Sequence, residues 1–311
     1  MTMNLPKKVR ICEVGLRDGL QNEKQVLETD QKVELLKDLV DAGYKVIEVG
    51  SFMHPKKVPQ MANTDEVFRA VQGMFPDVEL RALIPNIRGV QRAVDCGCTK
   101  VKLNVSASRE HNLRNLNMTP EESVAGFADC VAAAKENGID ISGSISMPFG
   151  SPWEGTIPQE DVDSIIEAYL KVGIDEISLS DAPGMAVAVQ VYNICAHVKE
   201  KYPQVSWWLH FHNTRGNAIA NIFAAMQAGM TQFDSSFAGL GGCPFIPGAA
   251  GNISSEDVIN MCDDSGIETG IDVHKVMAAS KKLMSVMEIV PDSYVLRAGP
   301  TGDLIKASQE K

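Results

Sequence analysis

One short sequence unit recurs along the chain, and its first copy is Asp41-Ala42-Gly43-Tyr44-Lys45-Val46-Ile47-Glu48-Val49-Gly50. An amphipathic helix ends at the glycine, and an apolar strand begins two residues later. Glycine is favoured there because the position after a helix end often needs a positive φ angle, which costs glycine least. The same unit recurs around four further glycines, which are Gly97, Gly138, Gly173 and Gly229. A repeat of roughly 30 to 40 residues is typical of one strand–helix unit.

Three more apolar segments bring the number of predicted strands to eight, at 9–15, 45–49, 79–85, 100–103, 141–147, 176–179, 207–212 and 233–238. Helical patterns lie between them, for instance at 30–39, 119–135, 159–170 and 217–226. Alternating strands and helices favour right-handed crossovers and a parallel sheet, and eight units close as a barrel. We therefore predict the α/β class, as a (β/α)8 TIM barrel that forms a single domain over 1–311. Within it, 271–290 adds a C-terminal helix and 291–311 a less regular tail.

Composition excludes some partners. The net charge of −11 argues against nucleic-acid binding, which needs a basic surface. No apolar run is long enough to cross a bilayer, so we expect no membrane partner. The first ten residues lack the apolar core of a signal peptide. Seven cysteines, an odd number spread through apolar segments, favour free thiols in a reducing cytoplasm.

Two histidines in the seventh strand, His210 and His212, give the clearest functional signal. Residues two apart on a strand face the same way, so both imidazoles should point toward the barrel axis or its mouth. A single strand histidine is more often an ordinary core residue, but a pair at this spacing favours a metal site. Asp18 after strand one and the amide of Asn252 after strand eight would complete a set of nitrogen and oxygen ligands. Such a set suits Mg²⁺ or Mn²⁺.

Other polar residues fall where strands end, which is where barrel enzymes carry their chemistry. Arg17 and Asp18 lie between two glycines, which predicts a tight turn, although a plain surface ion pair is the simpler interpretation. Glu48 is a carboxylate inside an apolar strand, which is costly without a partner such as Arg17 or a metal. Strand six runs into Asp181.

A glycine-rich segment, 239–251, follows the last strand and has Cys243 near its centre. Most such segments are ordinary flexible loops. The position after the last strand and the cysteine favour a lid that closes over the site. We expect the other six cysteines to be small buried hydrophobic residues.

Three stretches of the chain resemble the 3-hydroxy-3-methylglutaryl-CoA lyase family, within the metal-dependent lyase barrels. They are 13–23, 47–52 and 235–244, of which the last is similar to the signature around a reactive cysteine. The resemblance extends from about residue 9 to 270. It implies a homo-oligomer that acts on an acyl-CoA thioester.

The implied metal ligands are Asp18, His210, His212 and Asn252. Arg17, Gln21 and Ser51 would contact the substrate, with Arg17 at the thioester oxygen. The implied catalytic residues are Arg17, Glu48, Asp181, His210 and Cys243. In this scheme Glu48 orients Arg17 and the metal's water, Asp181 or His210 moves the proton, and Cys243 sits on the lid.

The implied reaction is cleavage of 3-hydroxy-3-methylglutaryl-CoA, or a close 3-hydroxyacyl-CoA, to acetyl-CoA and acetoacetate or the matching keto acid. The chain departs from the lyase pattern at 151–155, at 181–184, at Asn213 and at Arg215. These positions surround the substrate, which leaves the acyl group open. Two alternatives remain: a condensing synthase of the same barrel group, and a barrel that binds acyl-CoA without turnover. The cysteine segment favours cleavage.

Overall fold

The computed structural model describes residues 3–242 and 250–309. Eight parallel strands form a closed barrel in which each strand pairs with its neighbours in the chain and β1 pairs with β8. The strands are β1 Arg10–Glu13, β2 Val46–Ser51, β3 Glu79–Leu83, β4 Lys100–Ser106, β5 Asp140–Ser146, β6 Glu176–Asp181, β7 Ser206–Phe211 and β8 Gln232–Ser235. The predicted TIM barrel is confirmed, and the strand ends differ from the predicted ones by a few residues.

Helices connect the strands and cover the outside of the barrel. In chain order they are α1 Thr29–Asp41, α2 Thr64–Val71, α3 Ile87–Cys96, α4 Arg109–Leu116, α5 Pro120–Ala125, α6 Phe127–Glu136, α7 Gln159–Val172, α8 Ala188–Lys201, α9 Ala218–Gln227, α10 Ser255–Asp264, α11 Val273–Val286, α12 Tyr294–Ala298 and α13 Thr301–Gln309. Their apolar faces and the outer faces of the strands form one large hydrophobic core. Within the described residues, no helix is long and apolar enough to cross a membrane.

The repeating glycines have the positive φ angles that were predicted for the position after a helix end. Gly173, after α7, has a φ of 89°, and Gly43, after α1, has a φ of 111°. At Gly43 an added Cβ would also lie 2.4 Å from the backbone oxygen of Gly270. Any other residue there would combine a strained φ with a clash, so the helix-to-strand connection depends on glycine.

Three local predictions differ from the structure. The helix expected over 119–135 is broken near Gly126 into α5 and α6. The tail expected to be less regular holds the two helices α12 and α13. The segment after β1 is a five-residue π-helical turn, Gly15–Gly19, instead of a simple tight turn. Short turns of this kind are set by contacts with neighbouring segments, which local sequence patterns do not encode.

The inside of the barrel is charged, in contrast to the apolar layer outside it. Near the start of the strands lies a group of four ionic residues that we call the barrel floor: Glu79, Arg81, Lys100 and Glu176. Lys100 Nζ lies 2.7 Å from Glu176 and 3.2 Å from Glu79, and Arg81 lies 3.1 Å from Glu176. The Arg81 guanidinium also lies over the ring of Trp208, 4.8 Å from its centre. The floor closes the lower end of the barrel, and the opposite end carries the candidate site.

The C-terminal helices are joined to the barrel through α10. Asp257, in the first turn of α10, accepts hydrogen bonds from the Ser293 hydroxyl at 2.9 Å and from the Val295 backbone N–H at 2.8 Å. The backbone N–H of Asp292 donates to the Ala238 carbonyl at 3.0 Å. The segment before α12 is thereby held against the start of the glycine-rich segment that follows β8.

Candidate active site

Asp18, His210 and His212 converge at the carboxyl ends of β1 and β7. The Nε2 atoms of His212 and His210 lie 3.5 Å and 3.8 Å from Asp18 Oδ2. One ligand atom from each of the three residues lies within 4.8 Å of the others. Two imidazole nitrogens and a carboxylate oxygen that face one point are a donor set that fits a divalent metal ion. The residues therefore fit the metal that the histidine pair predicted.

The electrostatics of the cluster agree with this interpretation. Burial by itself would raise the pKa of Asp18, but the charge of Arg17 and the contacts with the two histidines outweigh it and hold the pKa well below its ordinary range. Burial lowers the pKa of His212, so its imidazole is neutral at neutral pH. An ionised carboxylate and a neutral imidazole are the forms that bind metals.

The turn that carries Asp18 is held in place by β1 and by the segment after β8. Glu13 Oε1 accepts hydrogen bonds from the backbone N–H of Gly15 at 2.8 Å and of Phe237 at 3.0 Å. A Cβ on Gly15 would lie 2.4 Å from the Phe237 ring. The first glycine of the predicted turn is therefore required by this close packing, which places Asp18 opposite the histidines.

Asp234 is a site residue that the sequence interpretation missed. It lies in β8, it is buried, and its Oδ2 lies 3.1 Å from His210 Nδ1. A carboxylate on Nδ1 keeps the proton on that nitrogen and leaves Nε2 free to face the cluster. The signal was present in the sequence, because Asp234 is a carboxylate inside an apolar strand, as Glu48 is.

Arg17 is held beside the cluster by two carboxylates. Its Nε donates to Glu48 Oε1, and its Nη1 donates to Asp18 Oδ1. Glu48 is fully buried, and its other oxygen pairs with the ammonium of Lys102 on β4. Burial would raise the pKa of Glu48, but Arg17 and Lys102 outweigh it and bring the pKa to about 2. The predicted Arg17–Glu48 pair is present, and Lys102 is a further member that the sequence interpretation missed.

Asn252 lies next to the cluster, but its amide is engaged through the nitrogen. Nδ2 donates to Asp18 Oδ2 at 2.9 Å and to the Leu240 carbonyl at 3.2 Å. Coordination through the amide oxygen would require the side chain to turn over and give up the bond to Leu240. Asn252 as a fourth ligand therefore stays a prediction.

Asp181 ends β6 at the same face of the barrel. Its two oxygens accept hydrogen bonds from the backbone N–H groups of Met185 and Ala186, each at 2.9 Å. Burial raises the pKa of Asp181 to about 7, although these hydrogen bonds and the nearby His210 lower it. A carboxyl group with this pKa can both hold and release a proton near neutral pH.

The remaining predicted residues lie around this face or outside the described part. Ser51 is buried at the end of β2, where its Oγ accepts from the Met53 N–H at 3.1 Å. Gln21 is half-buried in the short turn Leu20–Asn22 that follows Asp18. Cys243 lies outside the described residues, and so does most of the predicted lid. The other six cysteines are free and buried, as predicted.

Arg215, one of the departures from the lyase pattern, connects two loops at the mouth. Its Nη1 donates to the carbonyls of Pro183 and Gly184, each at 3.0 Å. Pro183 and Gly184 belong to the second departure, directly after Asp181. Arg215 therefore joins the segments that follow β6 and β7.

A closed parallel eight-stranded barrel, whose C-terminal mouth carries a cluster that fits a divalent metal ion beside a fixed arginine, defines the class of TIM-barrel proteins with an enzyme-like site at the strand ends. The HMGL-like family model matches residues 8–283. The chain belongs to this family.

Two relatives show how close the similarity is. The 3-hydroxy-3-isohexenylglutaryl-CoA/hydroxy-methylglutaryl-CoA lyase of Pseudomonas aeruginosa is 40% identical over 285 residues, which cover 92% of this chain and 95% of that protein. The (R)-citramalyl-CoA lyase of Chloroflexus aurantiacus is 39% identical over 301 residues, which cover 94% of this chain and 95% of that protein. The protein is therefore an oxo-acid lyase of the hydroxymethylglutaryl-CoA lyase type.

A solved structure supports the same conclusion. The HMG-CoA lyase of Acinetobacter baumannii, in complex with coenzyme A and 3-methylmalate, superposes with a TM-score of 0.91 at 39% identity. The match covers 97% of this chain and 98% of that one. The fold, including the order of the strands around the barrel, is thus shared over nearly the whole length.

Proposed function

We propose that the protein cleaves 3-hydroxy-3-methylglutaryl-CoA, or a close 3-hydroxyacyl-CoA, to acetyl-CoA and acetoacetate or the matching keto acid, and that it uses Mg²⁺ or Mn²⁺. One observation carries the proposal. The cluster of Asp18, His210 and His212 lies directly beside Arg17, through the contact between Arg17 Nη1 and Asp18. A group that activates an alcohol and a group that stabilises an enolate must lie side by side in such a cleavage.

Asp18, His210 and His212 would hold the metal, and Asn252 is proposed as a fourth ligand. A set of nitrogen and oxygen donors favours Mg²⁺ or Mn²⁺ over metals that prefer thiolates. A divalent cation bound there lowers the pKa of the substrate hydroxyl and polarises the carbonyl that forms.

Arg17 is placed to stabilise the negative charge that grows on the thioester oxygen when the carbon–carbon bond breaks. Its guanidinium is fixed before substrate arrives, because Glu48 and Asp18 each accept one of its hydrogen bonds. Fixed donors need no reorganisation during the reaction, and this is the main reason why such groups lower the barrier. We propose that Gln21 and Ser51 contact the same acyl group.

A proton must leave the substrate hydroxyl, and another must reach the carbon of the enolate. Asp181, with its pKa near 7, is the proposed group for the first step. His210, the other catalytic candidate, would already use Nε2 for the metal and Nδ1 for Asp234. Cys243 is proposed to cover the reacting carbons from the segment after β8, which keeps water from the enolate.

A second candidate substrate differs from the first in its acyl group. The two relatives differ by one percentage point in identity, yet one is named for glutaryl-CoA substrates and the other for (R)-citramalyl-CoA. The contact of Arg215 with Pro183 and Gly184 lies next to Asp181, at two of the places where the chain departs from the lyase pattern. We therefore propose (R)-citramalyl-CoA as the second substrate candidate.

The test is a substrate panel. Purified protein with Mg²⁺ is incubated with 3-hydroxy-3-methylglutaryl-CoA, its longer 3-alkyl analogues and (R)-citramalyl-CoA, and acetyl-CoA release is followed. We expect the highest kcat/KM with 3-hydroxy-3-methylglutaryl-CoA. A higher kcat/KM with citramalyl-CoA would move the assignment to the second candidate. A lack of acetyl-CoA from every member would contradict the proposal.

Three properties outside the site are also proposed. The six free buried cysteines support a reducing compartment such as the cytoplasm. A homo-oligomer and a single domain over 1–311 are proposed from the resemblance and the repeating units. Light scattering with size-exclusion chromatography tests the homo-oligomer, and limited proteolysis tests the single domain.

A further inference from the structure

Lys102 is a buried lysine inside the barrel, and both of its ion-pair partners lead to the active site. Its residue is 5% exposed, on the inner face of β4. Its Nζ pairs with Glu48 Oε2 and lies 3.9 Å from Asp234 Oδ2. Glu48 in turn accepts from Arg17, and Asp234 contacts His210.

Burying a lysine at this position is unfavourable for stability, because its ammonium group loses its hydration. Removing an ammonium group from water is costly, and replacing a whole buried ion pair by apolar side chains of the same volume is often neutral or stabilising. The ion pair with Lys102 fixes the orientation of the Glu48 carboxylate. The two oxygens of Glu48 are each engaged by a different cation, so its carboxylate plane is fixed at both ends. Without the ammonium, Oε2 of Glu48 would lose its partner, and the carboxylate that accepts from Arg17 Nε would be held at one end only.

We propose that Lys102 is a positioning residue for the cleavage reaction, which acts on Arg17 through Glu48. By holding Oε2 of Glu48, it keeps Oε1 under Nε of Arg17 and thereby keeps the guanidinium at the mouth of the barrel. The inference rests on the proposed function of Arg17 at the thioester oxygen.

The same strand supplies a matched control. Lys100 lies two residues earlier on β4, faces the same interior and is 8% exposed. It also pairs with two carboxylates, Glu79 and Glu176, but these belong to the barrel floor. Lys100→Met and Lys102→Met therefore remove the same group from similar surroundings, and only Lys102→Met removes a contact that leads to Arg17.

The first measurement is kcat and KM of both variants at saturating Mg²⁺, with urea unfolding to compare their stability. For Lys102→Met we expect kcat to fall about 10²-fold, the loss that a displacement of about 1 Å in a catalytic group can cause, with KM within about threefold of wild type. Lys100→Met should keep kcat within about threefold of wild type, even if its free energy of unfolding falls as much as that of Lys102→Met. Lys102→Arg, which keeps the charge, should recover most of the lost kcat. Equal losses of kcat in the two methionine variants would overturn the proposal.

A double-mutant cycle tests whether Lys102 acts through Arg17. In an Arg17→Met background, Lys102→Met should lower single-turnover rates less than about threefold, since the group that it positions is already gone. A full additional 10²-fold loss would show that Lys102 acts by another route and would overturn the inference.

Crystal structures of the two methionine variants give a readout that needs no substrate. The Arg17 guanidinium should leave Glu48 in Lys102→Met and stay in place in Lys100→Met; an unmoved Arg17 in both refutes the inference. A wild-type protein inactive on the whole panel would count against the proposed function alone, because these structures still decide the role of Lys102. If Lys102→Met fails to fold, Lys102→Gln takes its place with the same two outcomes.

Discussion

Replacing Asp234 with asparagine should weaken metal binding although Asp234 is not itself a proposed ligand. Its Oδ2 lies 3.1 Å from His210 Nδ1, and both residues are buried. The carboxylate can only accept a hydrogen bond, so it keeps the proton on Nδ1 and leaves Nε2 free. Asparagine offers a donor as well as an acceptor, and in the donor orientation it would move the imidazole proton to Nε2, which faces the cluster.

The size of the effect follows from the kind of contact that is lost. A hydrogen bond to a charged group contributes about 1.5–3 kcal/mol when it is buried. Loss of such a partner behind a ligating histidine typically weakens metal affinity by about 10- to 100-fold. We therefore expect the Mn²⁺ dissociation constant of Asp234→Asn to rise by about 10- to 100-fold, with kcat partly recovered at high Mn²⁺.

The assay is a calorimetric Mn²⁺ titration of the apo protein, and Asp163→Asn is its matched control. Asp163 also contacts a histidine, with 3.0 Å between its Oδ2 and His197 Nε2, but on the helices outside the barrel. Its replacement should leave Mn²⁺ affinity unchanged. An Asp234→Asn variant that binds Mn²⁺ as tightly as wild type would refute the assignment of Asp234 as the residue that orients His210.

Three further predictions concern the metal, the arginine and pH. Treatment with EDTA should abolish turnover and Mg²⁺ or Mn²⁺ should restore it; full activity in metal-free protein would contradict the metal site. Arg17→Met should lower kcat by about 10²- to 10³-fold with little change in KM, whereas a raised KM with unchanged kcat would make Arg17 a simple binding group. The pKa of Glu48 in the folded state, about 2, lies below its ordinary value. Its contribution to stability is therefore complete above about pH 4.3, and it is lost as the pH falls toward 2. Between pH 5 and pH 2 the wild-type free energy of unfolding, measured in urea, should fall by roughly 3 kcal/mol more than that of Glu48→Gln, and equal slopes would refute the paired carboxylate.

The barrel could be predicted from the sequence because its units are local. A helix that ends at Gly43 or Gly173 and a strand that follows within a few residues depend on φ angles and periodicity, which act over a few neighbouring residues. The two histidines of β7 were predicted to share a face for the same reason, since side chains alternate along a strand. Break points such as Gly126 were not predicted, because contacts with other elements decide them.

In the active site, too, some residues could be predicted from local sequence and others depend on contacts between distant segments. His210, His212 and the Arg17–Asp18 turn were recognisable by spacing and by resemblance, and the structure brings them together. Asp234 and Lys102 were not recognised, because a charged residue in an apolar strand has meaning only through the partner that it meets. Those partners come from other strands, and the register and closure of the barrel decide which inward-facing side chains lie at the same level. A sequence specifies which residues point into the barrel, but only the closed sheet determines which buried charges pair, because a buried charge is stable only where the fold brings an opposite charge within reach.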